Sequence, residues 1–196
     1  MTGWQQHIKR AIDFIVAVIA LVVLSPMLLY CAIRVKLSSA GPILYLQERT
    51  GYKGKPFLIY KFRSMYEDAE INGPALSSEK DPRMTRWGRI MRKWRLDELP
   101  QLWNIVKGDM SLVGPRPERQ YYIEQITRHR PEFTTLLEAI PGLTSKGMVE
   151  FGYAENVEEM ITRMQYDLAY MENRSLSTDF TILFHTLQII LKAKGK

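Results

Sequence analysis

The sequence predicts a predominantly helical α+β fold that carries an amino-terminal membrane segment. Three observations lead there: a charge-free apolar run from Phe14 to Ile33, two short strand-like segments at Ile43–Gln47 and Phe57–Phe62, and apolar residues at helical spacing in the second half of the chain. The 196 residues leave room for one full-sized domain beside that segment. Lys and Arg number 27 against 21 Asp and Glu, giving a formal charge of +6, and 46% of the chain is hydrophobic, which excludes wholesale disorder. The single cysteine, Cys31, excludes a disulfide framework and a Cys-rich zinc site. His7, His129 and His185 lack the spacing of metal ligands, and Met148, Met160 and Met164 read as packing residues.

The apolar run is long enough for a hydrocarbon core of about 30 Å. A cleaved signal peptide fits poorly, because Arg34 and Lys36 follow the run directly and no cysteine pair lies downstream. Lys9 and Arg10 precede it, so charge marks neither end as the outer one. Inside the run, Pro26 lacks an N–H and crowds the carbonyl of Val22, while the Ser25 hydroxyl can bond to a preceding carbonyl, so a bend is expected at Ser25-Pro26. The bent segment either spans as a kinked helix or re-enters, leaving both basic flanks on one face. Asp13, one turn after Lys9 and Arg10, can pair with either.

The two strand-like segments are separated by Gly51, Lys53, Gly54 and Pro56, the composition of a β-hairpin. Tyr66 to Asp81 reads as a short helix followed by a loop, with Asn72-Gly73-Pro74 as breaker. Arg83, Arg86, Arg89 and Arg92 recur every three residues and, with Lys93 and Arg95, surround Trp87 and Trp94. Their spacing gathers the first four near one side of a helix, although Gly88 weakens it. Such a face is solvated, or meets anionic headgroups or a phosphate-bearing substrate. No nucleic-acid recognition signature accompanies it.

The run Leu96 to Pro117 is the most informative. Leu96, Leu99, Leu102, Trp103 and Val106 form a helical apolar stripe assigned to the core, ended by Gly108. Asp97 and Glu98 lie side by side just after the arginines. An acidic pair at a helix start ordinarily serves the dipole; next to a cationic cluster it can also divide phosphoryl chemistry, one carboxylate attacking phosphorus and the other holding a divalent cation. Phe180, Leu183, Phe184, Leu187, Ile190 and Leu191 form a last stripe, before Lys192, Lys194 and Lys196. That stripe suits a helix packed on the core and an interfacial membrane helix equally.

Taken together, Lys9-Arg10 with Asp13, the Ser25-Pro26 break, Gly41-Pro42, Gln47 with Arg49 and Gly51, the run Lys61-Phe62-Arg63-Ser64-Met65 and the stretch Leu96 to Pro117 resemble the bacterial sugar transferases, or monotopic phosphoglycosyl transferases, in a minimal catalytic form. The resemblance implies a re-entrant amino-terminal helix with its flanks at 1–37 and a helical catalytic domain at 38–196 on the cytoplasmic face of the bacterial inner membrane; the stripe at 179–196 keeps both of its readings, a core-packed helix or an interfacial one. It implies transfer of a sugar 1-phosphate from a UDP-sugar to a polyprenyl phosphate, releasing UMP and starting a surface-glycan pathway continued by downstream glycosyltransferases. Asp97 matches the nucleophile that carries the phosphosugar covalently and Glu98 the carboxylate that binds Mg²⁺. Arg92 and Arg116 match phosphate-site arginines, and Lys61 and Asp167 match positions lining the active site. After Pro141-Gly142-Leu143-Thr144 the chain departs from many relatives, with Ser145-Lys146-Gly147-Met148 and Glu150-Phe151-Gly152, a region expected to shape sugar selectivity. The competing expectation is a non-catalytic, membrane-anchored adaptor whose arginines bind anionic lipid or nucleic acid.

Overall fold

The computed structural model describes residues 3–71, 73–78 and 81–193. Asn72, Lys194 and Lys196, singled out above, lie outside the described residues. The chain is predominantly helical and opens with α1 (Gly3–Val23) and α2 (Ser25–Ser38). These meet at Leu24 with a bend of 64°, and Pro26 stands in the first turn of α2, where its missing N–H costs nothing. The Ser25 hydroxyl donates to the Val22 carbonyl at 2.8 Å, the back-bond expected from sequence. Among the described residues no single helix is long and apolar enough to cross a membrane; the bent pair passes that test only together.

The arms turn most of their apolar side chains outward. Ile19, Val22, Val23, Leu29 and Ile33 are exposed, whereas Ala17, Cys31 and Val35 are buried against the rest of the chain. Asp13 also faces inward, accepting from the Ser111 hydroxyl at 2.6 Å and the Leu112 N–H at 3.3 Å. Its expected partners are mostly engaged elsewhere. Lys9 stands 3.9 Å from Asp13 but only 2.6 Å from Asp179, and Arg10 caps the carbonyl end of a distant helix at Ile105.

The hairpin forms as predicted, with β1 (Leu44–Thr50) antiparallel to β2 (Pro56–Phe62) and Leu44 opposite Phe62. Among the described residues after Tyr66 the expected helix is absent. That stretch is a turn and an extended loop, because Arg83, anchored on Asp81, donates to the carbonyls of Ala69 and Leu76 and holds the segment open. Helix α3 (Arg86–Lys93) is capped by Thr85, whose hydroxyl accepts from the Gly88 N–H at 2.9 Å. Gly88 is required by packing, since a Cβ there would stand 1.9 Å from the Ser64 carbonyl oxygen.

Leu96–Val106 is not one helix. A 3₁₀ turn, Leu96–Gln101, precedes α4 (Leu102–Lys107), with Pro100 at the joint and Gly108 closing α4 at φ 100°. The change of pitch rotates the stripe, so Leu102 is buried while Trp103, assigned to the core from its spacing, is 50% exposed. Next come β3 (Ser111–Val113), α5 (Gln120–His129), a 3₁₀ segment (Pro131–Glu138) and β4 (Gly142–Thr144), whose parallel pairing with β3 no local pattern announced. The chain ends in α6 (Lys146–Glu150), α7 (Val157–Glu172) and α8 (Leu176–Leu191). In α8, Ile182 and Thr186 are buried, whereas Phe180, Phe184, Leu187 and Leu191 remain exposed. Met148, Met160 and Met164 are packing residues, as expected.

Candidate active site

A cleft of about 1330 Å³, counting its open mouth, lies between β2, the 3₁₀ turn at Leu96–Gln101, the loop after β3 and the extended loop that follows Tyr66. Each wall is held by a specific bond. Asn104 accepts from the Tyr60 N–H at 3.0 Å and donates to the Leu58 carbonyl at 2.7 Å, extending the free edge of β2 with a side-chain amide and so placing Lys61. The loop carrying Arg116 is clamped through its backbone: the Gly142 N–H donates to Pro115, the Thr50 N–H to Glu118, and Arg49 to Pro117.

Of the residues proposed from sequence, Lys61, Arg92, Asp97, Glu98 and Arg116 meet in this cleft. Arg92 turns inward, donating to the hydroxyls of Ser64 and Ser77, whereas Arg86 and Arg89 of the same helix face solvent. Arg83 lies before the helix and belongs to Asp81, so the row of four arginines does not form one face. Asp167 stands outside the cleft wall. Its carboxylate accepts from the Gly147 N–H at 2.7 Å and the Arg116 N–H at 3.5 Å, a pairing that supports the arginine loop from behind.

The two adjacent carboxylates have opposite surroundings. Glu98 is 4% exposed, with Oε2 accepting from Arg95 Nε and Nη2 at 3.0 and 2.7 Å and Oε1 standing 3.4 Å from both Lys61 and Arg116. Burial alone would raise its pKa, but Arg95, Lys61 and Arg116 together hold it well below the usual carboxylate range. Asp97 is 6% exposed and, among the described residues, accepts no hydrogen bond and forms no ion pair. Burial and the neighbouring Glu98 charge raise its pKa, against the pull of Lys61, Arg92 and Arg95. Burial likewise lowers Lys61 to about 8, against the opposing effect of Glu98.

Sequence reasoning missed Glu118 and Arg163 and gave Arg95 no role at the site. Glu118 accepts from Arg163 at 2.6 Å and Arg49 at 3.3 Å, tying α7 and the hairpin to the arginine loop, and Arg95 grips Glu98 from outside the cleft. Glu118 follows Arg116 by two residues, which was the one available signal. Among the described residues no three Cys, His, Asp or Glu side chains gather into a metal cage. Asp97 and Glu98 nevertheless offer adjacent hard oxygen donors, and Mg²⁺ commonly uses one or two carboxylates together with substrate phosphates, so the donor set fits that ion.

The family model for bacterial sugar transferases matches residues 4–193. A UDP-N-acetylgalactosamine-undecaprenyl-phosphate N-acetylgalactosaminephosphotransferase of Aeromonas hydrophila is 41% identical over 188 residues, covering 96% of this chain and 44% of that protein. UDP-glucose:undecaprenyl-phosphate glucose-1-phosphate transferases are also similar. That of Caulobacter vibrioides is 39% identical, covering 93% of this chain and 69% of its own; that of Escherichia coli is 35% identical, covering 95% and 41%. The chain thus spans less than half the length of the Aeromonas and Escherichia relatives.

Proposed function

Since the chain belongs to the bacterial sugar transferase family, we propose that it moves a sugar 1-phosphate from a UDP-sugar to a polyprenyl phosphate through a phosphosugar held on Asp97. The observation that carries this reading is the contrast between the two carboxylates: Glu98 is gripped by Arg95 at Oε2 and faces Lys61 and Arg116 at 3.4 Å with Oε1, while Asp97 faces the same cationic cleft with no partner of its own among the described residues. A carboxylate attacking a diphosphate is opposed by charge repulsion. Lys61, Arg92 and Arg116 on the cleft wall offset that repulsion without reorganising, which is the main electrostatic task of phosphoryl transfer.

In the first step an Asp97 oxygen bonds to the sugar-bearing phosphorus, and the bridging P–O bond breaks, its electron pair leaving with UMP. In the second, a phosphate oxygen of the polyprenyl phosphate bonds to the same phosphorus, and the bond to Asp97 breaks, restoring the carboxylate. Donor and acceptor thereby use one cleft in turn. Glu98, with Asp97, would hold Mg²⁺, which supplies further charge neutralisation at the diphosphate.

The outward apolar faces of α1 and α2, their bend at Leu24, and basic residues at both flanks support a re-entrant arm in the cytoplasmic leaflet of the inner membrane. The catalytic domain then sits at headgroup depth, where the acceptor presents its phosphate, and the product feeds downstream glycosyltransferases. The test uses protein in nanodiscs with UDP-N-acetylgalactosamine or UDP-glucose. Wild-type protein given the matching donor alone gains the mass of one phosphosugar, and Asp97→Asn gains none and loses at least ~1000-fold in UMP release. Equal labelling of both proteins removes Asp97 from the mechanism. Salt-sensitive anion binding with no UMP release from any UDP-sugar favours the adaptor instead.

A further inference from the structure

Arg95 joins α3 to the 3₁₀ turn that carries Asp97 and Glu98, and it does so at φ 54°, in the left-handed region where a side chain is disfavoured and glycine is the easy choice. Its guanidinium is also nearly buried, at 6% exposure, which adds a desolvation cost. Two unfavourable features at one position call for a compensating interaction. Among the described residues its guanidinium hydrogen bonds converge on one atom, since Nε and Nη2 both donate to Glu98 Oε2 at 3.0 and 2.7 Å, beside a longer contact of 3.4 Å from Nη2 to the Leu143 carbonyl.

The choice of that oxygen matters. With Oε2 taken from behind, only Oε1 remains toward Lys61 and Arg116, both at 3.4 Å on the cleft side. Arg95 does not line the cleft. It borders an adjoining recess with His185, Lys192 and Tyr153, the last of which lines both, so its side-chain bonds reach the cleft wall through Glu98. A residue needed only for folding could meet any buried acceptor; this one meets the carboxylate next to Asp97 in sequence, through two bonds to one of its oxygens.

We propose that Arg95 is a positioning residue, which acts through Glu98 by locking Oε2 so that Oε1 alone is presented to the cleft. The inference rests on the transfer reading above. In nanodiscs, Arg95→Gly, which suits the left-handed backbone, should lower kcat by about 10–100-fold while the donor KM changes less than about threefold. Arg95→Lys should recover only part of the rate, because an ammonium cannot reproduce the two-bond grip; it supplies the same comparison if Arg95→Gly does not accumulate. The decisive readout is the double variant with Glu98→Gln, which should turn over no more slowly than Glu98→Gln alone. Wild-type kcat in Arg95→Gly, or losses that multiply in the double variant, overturns the positioning role while leaving the phosphosugar-labelling result intact. Absence of labelling in wild-type protein sinks the transfer reading and this role with it.

Discussion

The bent helix pair and the cleft both depart from the usual sorting of side chains, and they do so in opposite senses. Along α1 and α2 the apolar side chains face out, with Val22 69% exposed, while the carboxylate of Asp13 faces in. In the cleft wall Asp97, Glu98, Glu118 and Arg163 are buried, with Arg95 buried behind Glu98. Elsewhere in the molecule lies an ordinary core, where Tyr122, Ile123 and Ile126 of α5 pack with Phe133, Leu136, Met160 and Met164. The cleft resolves its departure internally, because each buried charge except Asp97 meets an opposite charge. The arms have no internal remedy. Their exposed side chains, with the exposed Phe180, Phe184 and Leu187 of α8, form the apolar surface that the proposed membrane arm would bury. Buried charge thus marks the chemistry of this molecule, and exposed apolar surface marks its setting.

The largest expected effect breaks the cleft side of this comparison. Glu98→Gln leaves Arg95 buried without its counter-charge, so it should cost about 3–5 kcal/mol of stability as well as activity and should weaken the Mg²⁺ dependence of turnover. Denaturant midpoints in detergent, read with a Mg²⁺ titration of UMP release, check both parts. An unchanged midpoint would show that the wall tolerates a lone buried guanidinium.

A second pair of substitutions contrasts the ordinary core with the arms. Phe133, 3% exposed, should cost about 3–5 kcal/mol when replaced by Ala, whereas Val22→Ser should stay within about 0.5 kcal/mol in detergent. Equal losses by thermal denaturation would mean that the outward face of α1 is covered by protein rather than by a fluid apolar phase.

The smallest expected effect is a shift in population. Replacing Ser25 with Ala and Pro26 with Leu removes the back-bond and restores the missing N–H, which should straighten the pair toward a span in part of the molecules. A cysteine at Gly3, where a Cβ meets nothing within 4 Å, reports the side reached by α1, and the native Cys31 is buried. In spheroplasts an impermeant thiol reagent should spare the parent and label a fraction of the straightened variant. Labelling of the parent would replace the re-entrant arm with a spanning helix.

Local chemistry was legible from the chain. The break at Ser25-Pro26, the hairpin with its glycine-rich turn, and the closeness of Arg92 to Asp97 and Glu98 follow from residue types that restrict φ, remove an N–H or concentrate charge near one another in sequence, whereas Lys61 and Arg116 were placed beside them by the family resemblance alone. The remainder depended on what lies across a gap. Trp103 had the spacing of a core residue, yet the 3₁₀ turn around Pro100 rotated it to the surface. The parallel pairing of β3 with β4, the grip of Arg163 on Glu118, and the retreat of Asp167 behind the arginine loop join positions separated by dozens of residues. Periodicity states which face of an element is apolar, but not which element will cover it. The number of cations reaching one buried carboxylate is set only when distant segments pack, so the sequence could pair Asp97 with Glu98, and only the tertiary structure could make their surroundings opposite.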